Sequence, residues 1–324
     1  MRMIVIGVIF AISAVQSPSG QEPLTLVRTI ELPRVDGRID HLAFDPSAQR
    51  LFVAALGNNT VEVVDMRSNA VAKSVAGFHE PQGLQVIPVV KSVAVANGKS
   101  GAVQWLDASD FRVTRTTALG DDADNVRYDA ETRRVYVGYG SGAIAAIGAD
   151  DGKVVREAKL AGHPESFQLE RSGSRIFVNV PTADQIAVID RRTMNVTATW
   201  PVVTAKANYP MALDEASHRL FVGCRRPARV LVYDTVSGKE VGSVEIVGDT
   251  DDLFYDAPRK RLYVSGGEGF IDVLQQGDRL ARVARVTTAA GARTSLFVPE
   301  QNRLYLAVPH RGAQKAEIRV YEAR

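Results

Sequence analysis

One pattern dominates this 324-residue chain: an acidic or small residue, a short polar turn, a basic residue, then alternating apolar and aromatic residues. Its clear copies are Asp45-Pro-Ser-Ala-Gln-Arg50-Leu-Phe-Val53, Asp129-Ala-Glu-Thr-Arg-Arg134-Val-Tyr-Val137, Glu170 to Arg175-Ile-Phe-Val178, Asp214 to Arg219-Leu-Phe-Val222, and Asp256 to Arg261-Leu-Tyr-Val264. Divergent copies are Ile87-Pro-Val-Val-Lys-Ser-Val-Ala-Val95 and Val298-Pro-Glu-Gln-Asn-Arg303-Leu-Tyr-Leu306. The first positions, 45, 87, 129, 170, 214, 256 and 298, are separated by 42, 42, 41, 44, 42 and 42 residues. A near-constant period of this length predicts an all-β, seven-bladed β-propeller with four short strands per blade. No single sheet of that size can bury both faces, whereas blades stacked in a ring can.

The first repeat fits this count. An inner strand around Leu42 to Phe44 precedes a second at Leu51 to Leu56, and Gly57-Asn58-Asn59 turns the chain into a third, Thr60 to Val64. Asp65 to Asn69 turns it again into a fourth, Ala70 to Val75. Alternation such as Val61-Glu62-Val63 between Gly/Asn/Asp turns is the strand and hairpin signal. The last repeat stops after Leu304 to Val308 and Glu317 to Tyr321, one strand short. The strand-like segment Leu24 to Leu32 is expected to supply the missing outer strand, closing the ring and removing an exposed sheet edge. The aromatic residues Phe52, Tyr136, Phe177, Phe221, Tyr263 and Tyr305 share one repeat position and are expected to pack between blades as core.

Ahead of the repeats, Arg2 and the apolar run Ile4 to Val15 precede polar Gln16 to Gln21. The run falls short of the roughly 20 residues a membrane helix needs, so residues 1–20 read as an export signal. Cleavage after Ala14, Ser17 or Ser19 fits. Residues 21–324 are then expected to form one propeller domain, with no transmembrane domain, in the periplasm or outside the cell. Cys224 is the only cysteine, which excludes an internal disulfide and a cysteine-based metal cluster. It reads as a small core residue. With 39 basic and 37 acidic side chains the chain is nearly neutral, so bulk charge gives no support to a nucleic-acid role.

The Arg-Leu-Phe-Val and Arg-Leu-Tyr-Val motifs, each after an acidic residue and a turn, resemble those of the YVTN-repeat (YncE-like) β-propeller family. His79-Glu-Pro-Gln-Gly83 and His163-Pro-Glu165 look like that family's His-Pro-x-Gly lead into an inner strand. The likeness covers about residues 24 to 324. It implies a seven-bladed ring in a group that includes binding and surface proteins, with lactone hydrolases among wider relatives. The second repeat departs from the pattern in lacking the leading Asp, and no family active-site motif transfers residue by residue.

Chemistry is expected where chain segments enter the inner strands, the propeller face on which ligands usually bind by analogy with the fold. Five positions before each repeat start lie Asp40, Gln82, Asp124, Glu165, Tyr209, Asp251 and Arg293. The next position holds His41, Gly83, Asn125, Ser166, Pro210, Asp252 and Thr294. These residues predict a ring of carboxylate, amide and imidazole groups around a channel mouth. Converging carboxylates repel, so each raises its neighbours' pKa or recruits a counter-charge. That counter-charge could be a divalent cation such as Ca²⁺ on Asp124, Asp251 and Glu165, the ring's own Arg293, or a cationic ligand. Alternatively, these are solvated turn residues. Hairpins on the same face carry Arg225, Arg226 and Arg229, and His310, Arg311 and Lys315, which could grip an anion. His41, His79 and His163 could share a metal or move protons, or merely stabilise loops.

No Gly-x-Ser-x-Gly elbow, His-Glu-x-x-His, Cys-x-x-Cys or phosphate loop occurs. The expected function is therefore a non-catalytic binding or scaffold propeller, monomeric, with a small-molecule, peptide or protein partner. The alternative is a metal-assisted hydrolase of lactone-type substrates, with the carboxylates holding the cation and His41 or His163 moving protons. A nucleic-acid-contacting propeller is the weaker third reading.

Overall fold

The computed structural model describes residues 22–324, so the export signal expected in residues 1–20 lies outside the described residues. The architecture is seven antiparallel sheets of four strands each, arranged as the blades of a ring. In blade one the strands are Leu42–Asp45, Arg50–Ala55, Thr60–Asp65 and Ala70–Ala76. The inner strands of the next five are Pro81–Ile87, Val126–Asp129, Phe167–Leu169, Lys206–Asp214 and Thr250–Asp256, and that of blade seven is Ser295–Val298. The Gly57-Asn58-Asn59 hairpin is a single 3-10 turn, Leu56–Asn58, with Asn59 in the left-handed region at φ 59°.

Ring closure matches the sequence expectation. Leu24–Glu31 pairs antiparallel with Glu317–Ala323 and completes blade seven from its outer side. Leu24, Ile30 and Leu32 are buried there, while the side chains between Leu24 and Ile30 are mostly exposed.

The core lies between blades rather than on the ring axis. Phe177, Ile186 and Val188 of blade four, for example, pack with Leu220, Val222, Leu231 and Tyr233 of blade five. The repeated aromatics Phe52, Tyr136, Phe177, Phe221, Tyr263 and Tyr305 are all buried in these interfaces. Several meet an aromatic on the next blade's inner strand: Phe221 with Tyr255, Tyr263 with Phe297, and Tyr305 with Phe44 across the seam, at centroid distances of 5.5, 5.0 and 6.1 Å. Tilted and offset rings at such distances are the favourable aromatic geometries.

The repeated acid and base now have physical roles. The Asp45 carboxylate accepts the Ser47 N–H at 2.9 Å and the Ser47 hydroxyl at 2.7 Å, fixing the turn before the second strand. In blades one and four the repeated arginine ties the blade to the next. Arg50 Nη1 donates to the Ala108 carbonyl of blade two at 2.6 Å, and Arg175 Nη1 donates to the Thr235 carbonyl of blade five. Cys224 is fully buried, and burial pushes its thiol up to about 12, so it is an inert core residue.

The entry to the inner strands is irregular, and that irregularity orients the polar residues there. In blade one the Asp40 N–H donates to the Ala54 carbonyl while the Ala54 N–H donates to the His41 carbonyl. The same exchange joins Asp124 and Asn125 to Gly138, and Glu165 and Ser166 to Asn179. Two residues thus oppose one, which is a β-bulge. The register also shifts between Pro81 and Leu84, between Asn208 and Met211, and between Thr250 and Asp252. Bulges break strict alternation and re-aim side chains.

Candidate binding site at the channel mouth

The bulges carry the polar residues expected from the sequence to one end of the ring. Arg38 Nη2 donates to Asp40 Oδ2 at 2.8 Å. His41 lies with Nε2 3.7 Å from the other Asp40 oxygen and Nδ1 3.4 Å from Asp252 Oδ2, so it bridges blades one and six. Asp252 also accepts the Ser295 N–H at 2.8 Å. Burial disfavours the imidazolium, but Asp252, Asp40 and Asp124 outweigh it and raise His41 to about 10. His41 is therefore a cation at neutral pH.

A second set of pairs centres on Asp251. Arg225 Nη2 donates to Asp251 Oδ1 at 2.5 Å, and Arg293 Nε lies 2.9 Å from Oδ2. Arg293 Nη1 also reaches Asp249 Oδ1 at 2.8 Å. The Arg225 guanidinium lies over the Tyr209 ring, 3.8 Å from its centroid, and donates from Nε to the Thr250 carbonyl. This is a cation–π contact on a base already fixed by hydrogen bonds. Burial raises the Asp251 pKa despite the two arginines.

Asp124 and Glu165 are different. Among the described residues neither carboxylate has a cation within ion-pair distance or a side-chain hydrogen-bond donor. Asp124 is buried, and burial together with the Glu165 charge raises it to about 8. Glu165 is half-buried, and burial with repulsion from Asp251 raises it to about 7. Asn125, 3 % exposed, likewise makes no side-chain hydrogen bond among the described residues. The blades are brought close by absent side chains. A Cβ on Gly83 would lie 2.1 Å from the Asp124 carbonyl oxygen, and one on Gly138 would lie 3.0 Å from Pro164 Cγ.

The remaining expected residues have other surroundings. Gln82 Nε2 donates to Asp122 Oδ1 at 3.1 Å. Arg226 is exposed and makes no ion pair among the described residues. Arg229 instead meets Ser243 and Glu245 on the blade's outer strand. The three histidines are apart in their contacts: His163 Nδ1 is 2.6 Å from the Gly140 carbonyl, and His79 is exposed. Among the described residues no group of three or more His, Cys, Asp or Glu side chains is placed to hold a metal ion. Asp124, Asp251 and Glu165 lie on three blades, and Asp251 is held by two arginines. They do not, as they stand, make the oxygen cage of six or more ligands that Ca²⁺ takes.

Sequence reasoning missed Arg127. It lies in the inner strand of blade three, over the Phe167 ring of blade four at 5.4 Å, with Nη2 3.4 Å from Ser166 Oγ. Burial lowers its pKa against the pull of Asp252 and Asp124. The signal was available. At that repeat position the blades carry Ala43, Gln85, Arg127, Gln168, Ala212, Phe254 and Leu296, and Arg127 is the one charge. A separate groove of about 510 Å³ between blades three and four, lined by Arg134, Arg156, Arg171, Arg191 and Arg192, shares no residue with the mouth.

These pKa shifts fix a pH dependence. Asp124 and Glu165 hold protons in the folded state that the unfolded chain releases near pH 4, so stability falls as pH rises from about 4 towards 8. His41 adds a further fall between about 6.5 and 10. Asp124→Asn removes one contribution. The variant should gain on the wild type by on the order of 2 kcal/mol between pH 5 and 8, about half of three pKa units at 1.36 kcal/mol each, because Asp124 and Glu165 titrate together. Urea midpoints measured at both pH values check this, and parallel wild-type and variant profiles would contradict it.

The ring and this mouth define a seven-bladed β-propeller with a polar, charged channel end. No family model matches the chain. It is 22% identical over 174 residues to the "Uncharacterized protein YncE" of Salmonella typhimurium strain LT2, covering 52% of this chain and 48% of that protein. The protein of the same name from Salmonella typhi matches to the same extent. The chain therefore spans about half the length of the curated relatives it matches. This weak homology over half the chain, together with the seven blades, fits a YncE-like propeller family. Among solved structures, one described as "Crystal Structure of Mitotic Checkpoint Complex" superposes with a TM-score of 0.78 at 13% identity, covering 99% of each chain. That likeness concerns the fold alone.

Proposed function

We propose that this chain is an exported, non-catalytic binding propeller that presents the mouth to a small molecule, peptide or protein partner. The observation that carries this reading is convergence. Side chains from blades one, three, four, five, six and seven meet at one end of the ring, some locked in ion pairs and some left without partners. A propeller fold with distant YncE-like relatives supports a scaffold or binding role. On this reading residues 21–324 act as one monomeric domain in the periplasm or outside the cell. Among the described residues no helix is long and apolar enough to cross a membrane.

The test is thermal unfolding of residues 21–324 against a panel of cationic, anionic and neutral organic ligands, short peptides and divalent cations. A ligand at about 100 times its Kd adds about 2.7 kcal/mol of stability. The expected result is a saturable rise in midpoint for at least one class, lost in Asp251→Asn. Turnover of a lactone panel that depends on an added divalent cation would overturn the non-catalytic reading. Silence from every class, with no protein partner whose capture depends on Asp251, would overturn the mouth as a binding site.

A further inference from the structure

The groove between blades three and four, about 510 Å³, has the volume of a small-molecule pocket. Buried Tyr136 and Met194 give it an apolar floor, and exposed Val155 adds an apolar side. Five guanidiniums line it against one carboxylate, that of Glu131. Two of the five are engaged. Arg191 Nη1 is 3.3 Å from Asp129 Oδ2 and its Nη2 donates to the Gly173 carbonyl at 3.0 Å, while Arg192 lies 3.7 Å from Asp190. The other three, Arg134, Arg156 and Arg171, have no side-chain hydrogen-bond or ion-pair partner among the described residues. The turn that presents Arg171 is held in place. Glu215 of blade five accepts the Arg171 N–H at 2.6 Å, and the Ser172 N–H and hydroxyl at 3.0 and 2.6 Å.

The repeat explains why Arg134 is left over. At the matching place between blades one and two, Arg50 donates to the Ala108 carbonyl and lies 4.9 Å over the Phe111 ring. Phe111 in turn packs on Phe52, with centroids 6.5 Å apart. The repeat register puts Arg134, Arg191, Met194 and Tyr136 at these four positions. Met194 keeps the left-handed turn of Phe111, at φ 59° against 63°, but a thioether offers no π face to a guanidinium. Arg191, standing where blade two has Ala108, adds a second cation to the interface. The repeated arginines of blades four to seven also donate to protein acceptors: the Thr235 carbonyl, Asp234, Gln275 and Glu322. Arg134 alone among the repeated arginines makes no such bond among the described residues.

We propose that this groove binds a small organic dianion, a phosphate monoester or a dicarboxylate, gripped by Arg134, Arg156 and Arg171 above the Tyr136 and Met194 floor. The site is separate from the mouth and does not rest on the reading above. A guanidinium meets a phosphate or carboxylate through two parallel hydrogen bonds. Three unpartnered guanidiniums against Glu131 leave an excess of two positive charges, which a dianion balances. The concave shape and apolar floor suit a compact ligand with a carbon body. A long polyanion needs an extended positive surface, which a chain with 39 basic and 37 acidic side chains does not favour.

The experiment is calorimetric titration of the full propeller with phenyl phosphate, with phthalate, and with phenol as the uncharged control. The expected result is saturable binding of at least one of the two dianions with a Kd below about 1 mM, and none of phenol. Arg134→Gln and Arg156→Gln should each weaken that binding about tenfold, the worth of one charge-assisted hydrogen bond. Neither should lower the unliganded melting midpoint, because neither side chain gives up a protein partner. Arg112→Gln removes the same charge from a side chain on blade two that is 83 % exposed, and should leave the affinity unchanged. Tighter binding of phenyl phosphate identifies a phosphate ester as the ligand class, and tighter binding of phthalate a dicarboxylate. Binding of neither dianion, or undiminished binding in both groove variants, overturns the site. Equal weakening by Arg112→Gln overturns it as well, since the attraction would then be diffuse. A short single-stranded oligonucleotide that binds through Arg134 and Arg156 more tightly than either dianion would overturn the small-ligand assignment.

Discussion

A chain lacking residues 21–33 should lose the cooperative unfolding transition of the full ring, or melt so far below it that little folded protein remains at 37 °C. The deleted strand buries Leu24, Ile30 and Leu32, each at most 2 % exposed, and pairs with the last strand along its whole length. Three such side chains are worth roughly 5–9 kcal/mol at 1.5–3 kcal/mol apiece. That is comparable with the entire stability of a typical domain, about 5–15 kcal/mol. Deletion also bares the last strand, Glu317–Ala323, as a free edge able to pair with another chain. Circular dichroism melting and size-exclusion chromatography are the measurements. A monomeric truncated protein with an unchanged midpoint would refute closure by this strand.

The second large effect is expected in the interface between blades four and five. Phe177 is fully buried, packs on Trp200 at 5.3 Å and lies under the Arg175 guanidinium at 4.9 Å. Phe177→Ala should cost about 3–5 kcal/mol, the lost transfer free energy plus that of the cavity. The 76 % exposed Val203 is the control, and Val203→Ala should stay within about 0.5 kcal/mol. Urea unfolding of both variants decides the matter. A loss below about 1 kcal/mol for Phe177→Ala would mean that the aromatic positions are not the packing units between blades.

The ring was legible in the sequence because its repeat couples two signals of different origin. The alternation in Arg219-Leu-Phe-Val222 records burial between blades, and the leading Asp214 records the turn. Neither depends on distant parts of the chain. Even the closure by Leu24–Glu31 was legible, since it comes from counting strands. The mouth was only half legible. The repeat register points to the polar positions, yet it does not say which carboxylates are paired. Asp251 has its arginines because a hairpin of blade five and the inner-strand lead of blade seven both lean towards it. Those are distances between blades, which no local pattern encodes. Arg127 escapes that pattern because it lies inside an inner strand, beyond the lead segments that carry the other polar residues.

The bulge at the start of the inner strands has an evolutionary consequence. Its two residues meet a single partner on the second strand through main-chain atoms, as Asp124 and Asn125 meet Gly138. The ladder therefore asks nothing of their side chains. Blades one, three and four therefore offer dipeptides that can be rewritten with little disturbance to the ladder: Asp-His, Asp-Asn and Glu-Ser respectively. Selectivity at the mouth can then drift one blade at a time, so propellers with closely similar rings can diverge in what they recognise while their overall resemblance stays silent about it.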